Sequence, residues 1–245
     1  MSAVLAVLGD SAADQPVADV AAAIAAVISA SVRRIDLTGD AGPARQADRV
    51  LTELAEAASV LGVMPGAASL PQLGWPVLQR ARKPIVLVPA AVRPVPQMIS
   101  RALIPLDGTQ ESAAAVAQTI RLLADAGVDL VVLHVFDAST VPKFWDQPAH
   151  AERAWQDEFL ARYCDHPGVR LQLRSGVPGE HILDVATTEQ VDLIALGWSQ
   201  QPGQARAQTL RQTLRDARVP VLVVPVTTQP EDFRHLPGRT GRRWA

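Results

Sequence analysis

The sequence predicts an α/β protein built from two tandem, doubly wound parallel-sheet domains, and three observations carry that expectation. Short unbroken runs of aliphatic residues recur along the chain. They alternate with longer stretches in which apolar residues return at helical spacing. The end of the first half is repeated near the end of the second.

Residues 3–8 (AVLAVL) form a continuous apolar run closed by Gly9-Asp10, as a buried parallel strand closes at its C-terminal edge. Residues 15–29 follow with Val20, Ile24, Val27 and Ile28 on one helical face. Pro16 stands near the start, where its missing N–H costs nothing. A strand is expected over 31–38 and a helix over 46–57, with Val50, Leu51 and Leu54 as its stripe. Strands at 59–64 and 84–88 flank a turn-rich stretch and a short helix at 76–81. In the second half, strands are expected at 101–106, 129–136, 169–174, 191–196 and 220–225. Helices fall between them at 110–126, 148–164, 179–189 and 205–217. The helix at 148–164 spaces Ala151, Trp155, Phe159 and Tyr163 four apart, which makes one apolar stripe. Strict strand–helix alternation implies a parallel sheet with helices on both faces. Ligands of such sheets bind beyond the strand C-termini where the strand order reverses.

Ala81-Arg-Lys-Pro84 leading into Ile85–Pro89 lines up with Ala217-Arg-Val-Pro220 leading into Val221–Pro225. Upstream, Val60-Leu61-Gly62 aligns with Ala195-Leu196-Gly197 after a one-residue gap. The first half is then shorter by one strand–helix unit, a counterpart of 169–189. The boundaries drawn are 1–92, 98–226 and a basic tail at 227–245. Residues 90–100, with Pro94 and Pro96, serve as linker.

Composition narrows the function. The 245 residues are 48% hydrophobic and 20% charged with a net charge of −2, so no general field attracts nucleic acid or a membrane surface. The single cysteine, Cys164, excludes an intramolecular disulfide and a cysteine-rich zinc site. The apolar run after Met1 lacks a basic leader and is too short to span a bilayer, so a cytoplasmic location is expected.

Residues 101–226 resemble a universal stress protein domain, on three blocks. These are Ala102-Leu-Ile-Pro-Leu-Asp-Gly-Thr109 with Ser112, Leu130-Val-Val-Leu-His-Val-Phe-Asp137, and Val191–Gly197 through Pro220–Val224. The resemblance implies a second-domain strand order of 3-2-1-4-5 and makes the first half a reduced copy. It also implies that the last strands of the two copies, 84–89 and 220–225, pair within the chain as an intramolecular pseudo-dimer. That pairing would cover two apolar edges.

ATP-binding members of the family carry an Asp after the first strand, a Val closing the second, and a run G-x2-G-x9-G-[ST] around the phosphates. By resemblance Pro105, Asp107, Gly108 and Val135 belong to an adenine-nucleotide cleft and Gly197 to its first phosphate glycine. The rest departs from the pattern. Gln200 stands where the second glycine belongs, ten residues rather than thirteen separate Gly197 from Ala207, and Gln208 replaces the hydroxyl residue. Gly203 is the remaining candidate in that loop, out of register. Missing glycines keep backbone N–H groups from phosphate oxygens. Gly9-Asp10-Ser11 is a looser echo of the D-G-S turn.

The other reactive side chains form no constellation. His134 sits in a buried strand; His150, His166, His181 and His235 lack metal-ligand spacing. Cys164 at a helix end is a structural thiol, and no serine stands in a nucleophile elbow. Phe144-Trp145 before a helix fits a lid over the cleft, a contact for a partner, or a hydrophobic staple. The expected function is a non-enzymatic stress-response module that acts through an unidentified protein partner and does not bind ATP. The alternative is an adenine-nucleotide sensor.

Overall fold

The computed structural model describes residues 2–9, 12–40, 42–66, 71–90, 95–136, 149–164, 166, 168–199 and 205–226. Asp10-Ser11, Phe144-Trp145, Gly203 and the tail at 227–245 lie outside the described residues. Nine strands and seven helices alternate along them. In order these are β1 (Ala3–Leu8), α1 (Asp14–Val27), β2 (Ser31–Asp36), α2 (Pro43–Ala55), β3 (Ser59–Pro65), α3 (Pro71–Arg80) and β4 (Ile85–Val88). There follow β5 (Arg101–Pro105), α4 (Gln110–Asp125), β6 (Asp129–Phe136), α5 (Ala149–Tyr163) and β7 (Arg170–Ser175). The last are α6 (Pro178–Thr188), β8 (Leu193–Trp198), α7 (Ala205–Asp216) and β9 (Val221–Pro225).

Local chemistry sets several of the ends. Proline opens α2 and α6 at their first turns. Thr109 caps α4, its side chain accepting from the Ser112 N–H. The short helix expected at 76–81 instead starts at Pro71 and continues through Pro76.

All nine strands form one sheet in the order β2-β1-β3-β4-β9-β8-β5-β6-β7. The second half alone runs β7-β6-β5-β8-β9, the expected 3-2-1-4-5. Every neighbouring pair is parallel except β4 and β9, which are antiparallel. Ile85 faces Val223, Val86 faces Leu222 and Leu87 faces Val221. Because Ile85–Pro89 aligns with Val221–Pro225, this register is symmetric about the Val86–Leu222 pair. On one face of the seam the guanidinium of Arg211 lies 4.9 Å from the ring centre of Trp75. The two residues are equivalent in the same alignment, so they are mates meeting across a local two-fold axis.

The sheet divides the core into two layers, each continuous through both halves. One layer packs α2, α3, α6 and α7 on alternate strand residues such as Leu5, Ile85, Leu103, Ile194 and Val223. The other packs α1, α4 and α5 on Val4, Val86, Ala102, Ala195 and Leu222. Right-handed crossovers change face when the winding direction reverses, which explains this allotment. It also corrects the comparison of the halves. Helix α2 lies on the face of α6, not of α5. The first half therefore lacks a counterpart of α5–β7, residues 149–175, rather than of 169–189.

Strand register brings a second correction. Gly62 pairs with Ile85, whereas Ile194 pairs with the equivalent Val221. Gly62 thus matches Ile194, and Pro65 occupies the place of Gly197. On the first strand Leu5 and Leu103 are equivalent, since they pair with Gly62 and Ile194, so Gly9 takes the place of Asp107.

The outer edges are polar. β2 carries Arg33 and Arg34 and is largely exposed, and β7 carries Arg170 and Arg174 and is for the most part half-buried. The seam strands are wholly buried. Truncating Leu222→Ala on the axis is expected to cost about 2–4 kcal/mol in urea unfolding. Val32→Ala on the exposed edge strand β2 should stay within about 0.5 kcal/mol.

Candidate functional site

Sheet order reverses at β5, which has β6 on one side and β8 on the other, and a cavity of about 590 Å³ opens above the strand ends there. Its size falls in the range of small-molecule sites. The C-terminal ends of β5 and β6 supply Pro105, Leu106, Asp107, Gly108, Val135 and Phe136. β8 contributes Leu196 and Gly197, α6 contributes Pro178 and Ile182, and α7 contributes Thr209 and Leu210. Five of the six residues expected at a cleft, Pro105, Asp107, Gly108, Val135 and Gly197, therefore line one cavity. The sixth, Gly203, is outside the described residues.

The turn from β5 to α4 is held by its own side chains. Asp107 Oδ1 accepts from the Thr109 N–H at 3.1 Å and from the Thr109 hydroxyl at 2.8 Å. The Thr109 oxygen accepts in turn from the Ser112 N–H at 3.2 Å. The chain of bonds fixes the Asp107 carboxylate at the rim of the cavity, exposed to solvent. Gly108 has φ +77°, a left-handed backbone that favours glycine. A Cβ there would also sit 3.2 Å from His134 Cε1 and 3.7 Å from Phe159 Cε2.

The wall facing Asp107 is aromatic. His134 is buried, and its Nδ1–H donates to the Leu106 carbonyl at 2.8 Å. Its ring meets Phe136 edge-on at 4.6 Å and tilts against Phe159 at 4.8 Å. Trp155 stacks on Phe159 at 5.1 Å, and Phe159 touches Tyr163 at 4.7 Å. Burial holds the His134 pKa below its usual 6.5, outweighing the Leu106 bond and the Asp107 charge, which both raise it. The imidazole is thus neutral and structural.

Sequence periodicity marked the Trp155–Phe159–Tyr163 stripe as apolar without saying what it covers. In the fold it lines the cavity, while Phe159 also reaches the core layer of α1 and α4. Arg162 is the only lysine or arginine among the described lining residues, and it lies 3.3 Å from Glu158 on the same helix. Among the described residues no group of three or more His, Cys, Asp or Glu side chains is placed to hold a metal ion. No described helix is long and apolar enough to cross a membrane.

His134 gives stability a definite pH dependence. Its folded-state pKa lies below the 6.5 of an exposed histidine, so below pH 6.5 the unfolded chain takes up a proton that the native chain refuses. The contribution is present above pH 6.5 and shrinks as pH falls through it toward the folded-state pKa. Urea midpoints between pH 7.5 and 5 should drop less steeply in His134→Gln. Gly108→Ala should lose about 1–2 kcal/mol at any pH.

No curated protein sequence matches the chain. Its sequence matches the universal stress protein family over residues 98–225, just over half of its length. Among solved structures it resembles a universal stress protein of Archaeoglobus fulgidus DSM 4304 with a TM-score of 0.60 and 15% identity. That match covers 92% of this chain and 97% of the other. A protein of Pseudomonas aeruginosa UCBPP-PA14 assigned to the same family gives a TM-score of 0.61 at 15% identity, over 92% and 93%. A protein of Pseudomonas aeruginosa PAO1 described as functionally unknown gives 0.58 at 15%, over 91% and 82%. At such identities these likenesses establish the fold alone, and they extend through both halves. With the family's motifs at the ends of β5, β6 and β8 and its strand order in the second half, the chain belongs to the universal stress protein family.

Proposed function

We propose that this universal stress protein is a non-enzymatic, cytoplasmic response module that acts through a protein partner and whose cleft no longer holds ATP. We take residues 1–92 and 98–226 as two copies of one unit, joined at β4 and β9 into an intramolecular pseudo-dimer. One observation carries the reading of the cleft: its lining suits an apolar or uncharged guest better than a triphosphate. Asp107 and Glu158 contribute two carboxylates, and the single guanidinium among the described lining residues, Arg162, is already opposed by Glu158. The sequence after Gly197 supports the same reading. Gln200, Ala207 and Gln208 stand where ATP-binding members have two glycines and a hydroxyl residue.

A second reading, an adenine-nucleotide sensor, is favoured by a different observation. Pro105, Asp107, Gly108 and Val135 surround one open cavity wide enough for a base and a sugar. Here Asp107 would meet the ribose or the base, and Val135 would cover the ring.

Calorimetry of the full chain with MgATP and with adenosine separates the two. The first reading expects ATP binding no tighter than about 100 μM, or about −5.5 kcal/mol. Tighter ATP binding that disappears in Asp107→Ala would replace it with the second.

A further inference from the structure

A second cavity, of about 450 Å³, lies on the layer of α1 and α4, directly over the seam where β4 meets β9. On the opposite face the seam is covered by α3 and α7, which bring Trp75 and Arg211 together. On this face α1 and α4 stand to either side and leave a slot between them. The side chains of α4 that line it follow one helical stripe: Glu111, Ala114, Ala115, Gln118, Thr119 and Leu122. Ile24, Val27 and Ile28 of α1 form the other wall. Glu111 lines it near the start of α4 and Arg121 near the far end, about 15 Å apart along the helix at 1.5 Å per residue.

Two features say what the slot can hold. Its floor is apolar, formed by Val86, Leu222 and Val224, and its volume of about 450 Å³ is drawn out along the roughly 15 Å of α4 between Glu111 and Arg121. That long, thin shape suits an extended hydrocarbon chain. The second feature is Arg121. Its Nε–H donates to the Ala117 carbonyl at 3.3 Å, and its Nη groups have no partner among the described residues. A guanidinium fork open at the end of an apolar channel matches a carboxylate head group. Glu111 toward the other end disfavours the reverse orientation.

We infer that the slot over the β4–β9 seam binds an unbranched long-chain carboxylate, with its head on Arg121 and its hydrocarbon tail laid along α4 toward Glu111. The site is separate from the cleft above β5, shares no lining residue with it, and stands whichever reading of that cleft holds.

Titrating the full chain with octanoate, decanoate and dodecanoate below their aggregation concentrations tests this. Affinity is expected to rise roughly fourfold per added methylene until the slot is full. Arg121→Glu, an exposed change that leaves the core intact, should weaken dodecanoate at least about tenfold. It should leave dodecanol unaffected. Thr119→Trp, which fills the slot, should abolish both, and Asp107→Ala should change neither. The inference falls if the full chain takes up no fatty acid, or if uptake is indifferent to Arg121→Glu and Thr119→Trp. Loss of uptake in Asp107→Ala would assign it to the other cleft, and self-association abolished by Thr119→Trp without uptake would assign the slot to a second copy. Either result also overturns it.

Discussion

The pairing of β4 with β9 is the constraint from which the rest of the molecule follows. Each strand ends its half of the sheet and is wholly apolar, so in isolation each would expose a row of unpaired backbone groups beside Val and Leu side chains. Laid antiparallel, each satisfies the other, and two four- and five-stranded arrays become one nine-stranded sheet. The symmetric register about Val86 and Leu222 lets similar strands meet in one self-complementary way. The two core layers then run unbroken from one half into the other. What remains as true edge, β2 and β7, is rich in arginine.

That symmetry places the functional surfaces. The second half keeps five strands, and its order reverses at β5, so a crevice opens above the strand ends and α5 closes its side. Among the described residues the first half has no counterpart of α5–β7, and so no aromatic wall in the corresponding place. It also has Gly9 where the second half has Asp107, and Pro65 where the second half has Gly197. The same two-fold relation sets α1 and α4 on one face, flanking the seam rather than covering it. The slot between them lies over the antiparallel β4–β9 pair.

Within the cleft, the polar groups are few and engaged. Asp107 holds the turn into α4, His134 is kept neutral by burial, and Arg162 faces Glu158. The aromatic side chains of α5, Trp155, Phe159 and Tyr163, form one wall of the cleft.

Much of this was legible in the amino-acid sequence because it is local. Continuous apolar runs such as AVLAVL and LVVL mark buried strands, and helical spacing marks α1, α2 and α5, since such local patterns need no partner. Pro105, Asp107, Gly108, Val135 and Gly197 sit at strand ends, and parallel strands gather their C-termini at one edge, so their meeting could be foreseen. Only the tertiary structure decided that Gly62 matches Ile194, that α2 shares the face of α6, and that the Trp155–Tyr163 stripe lines a cleft. The slot beneath Arg121 was likewise invisible in the chain. Register, helix face and the space between helices depend on contacts between residues far apart in sequence, and no local pattern encodes them.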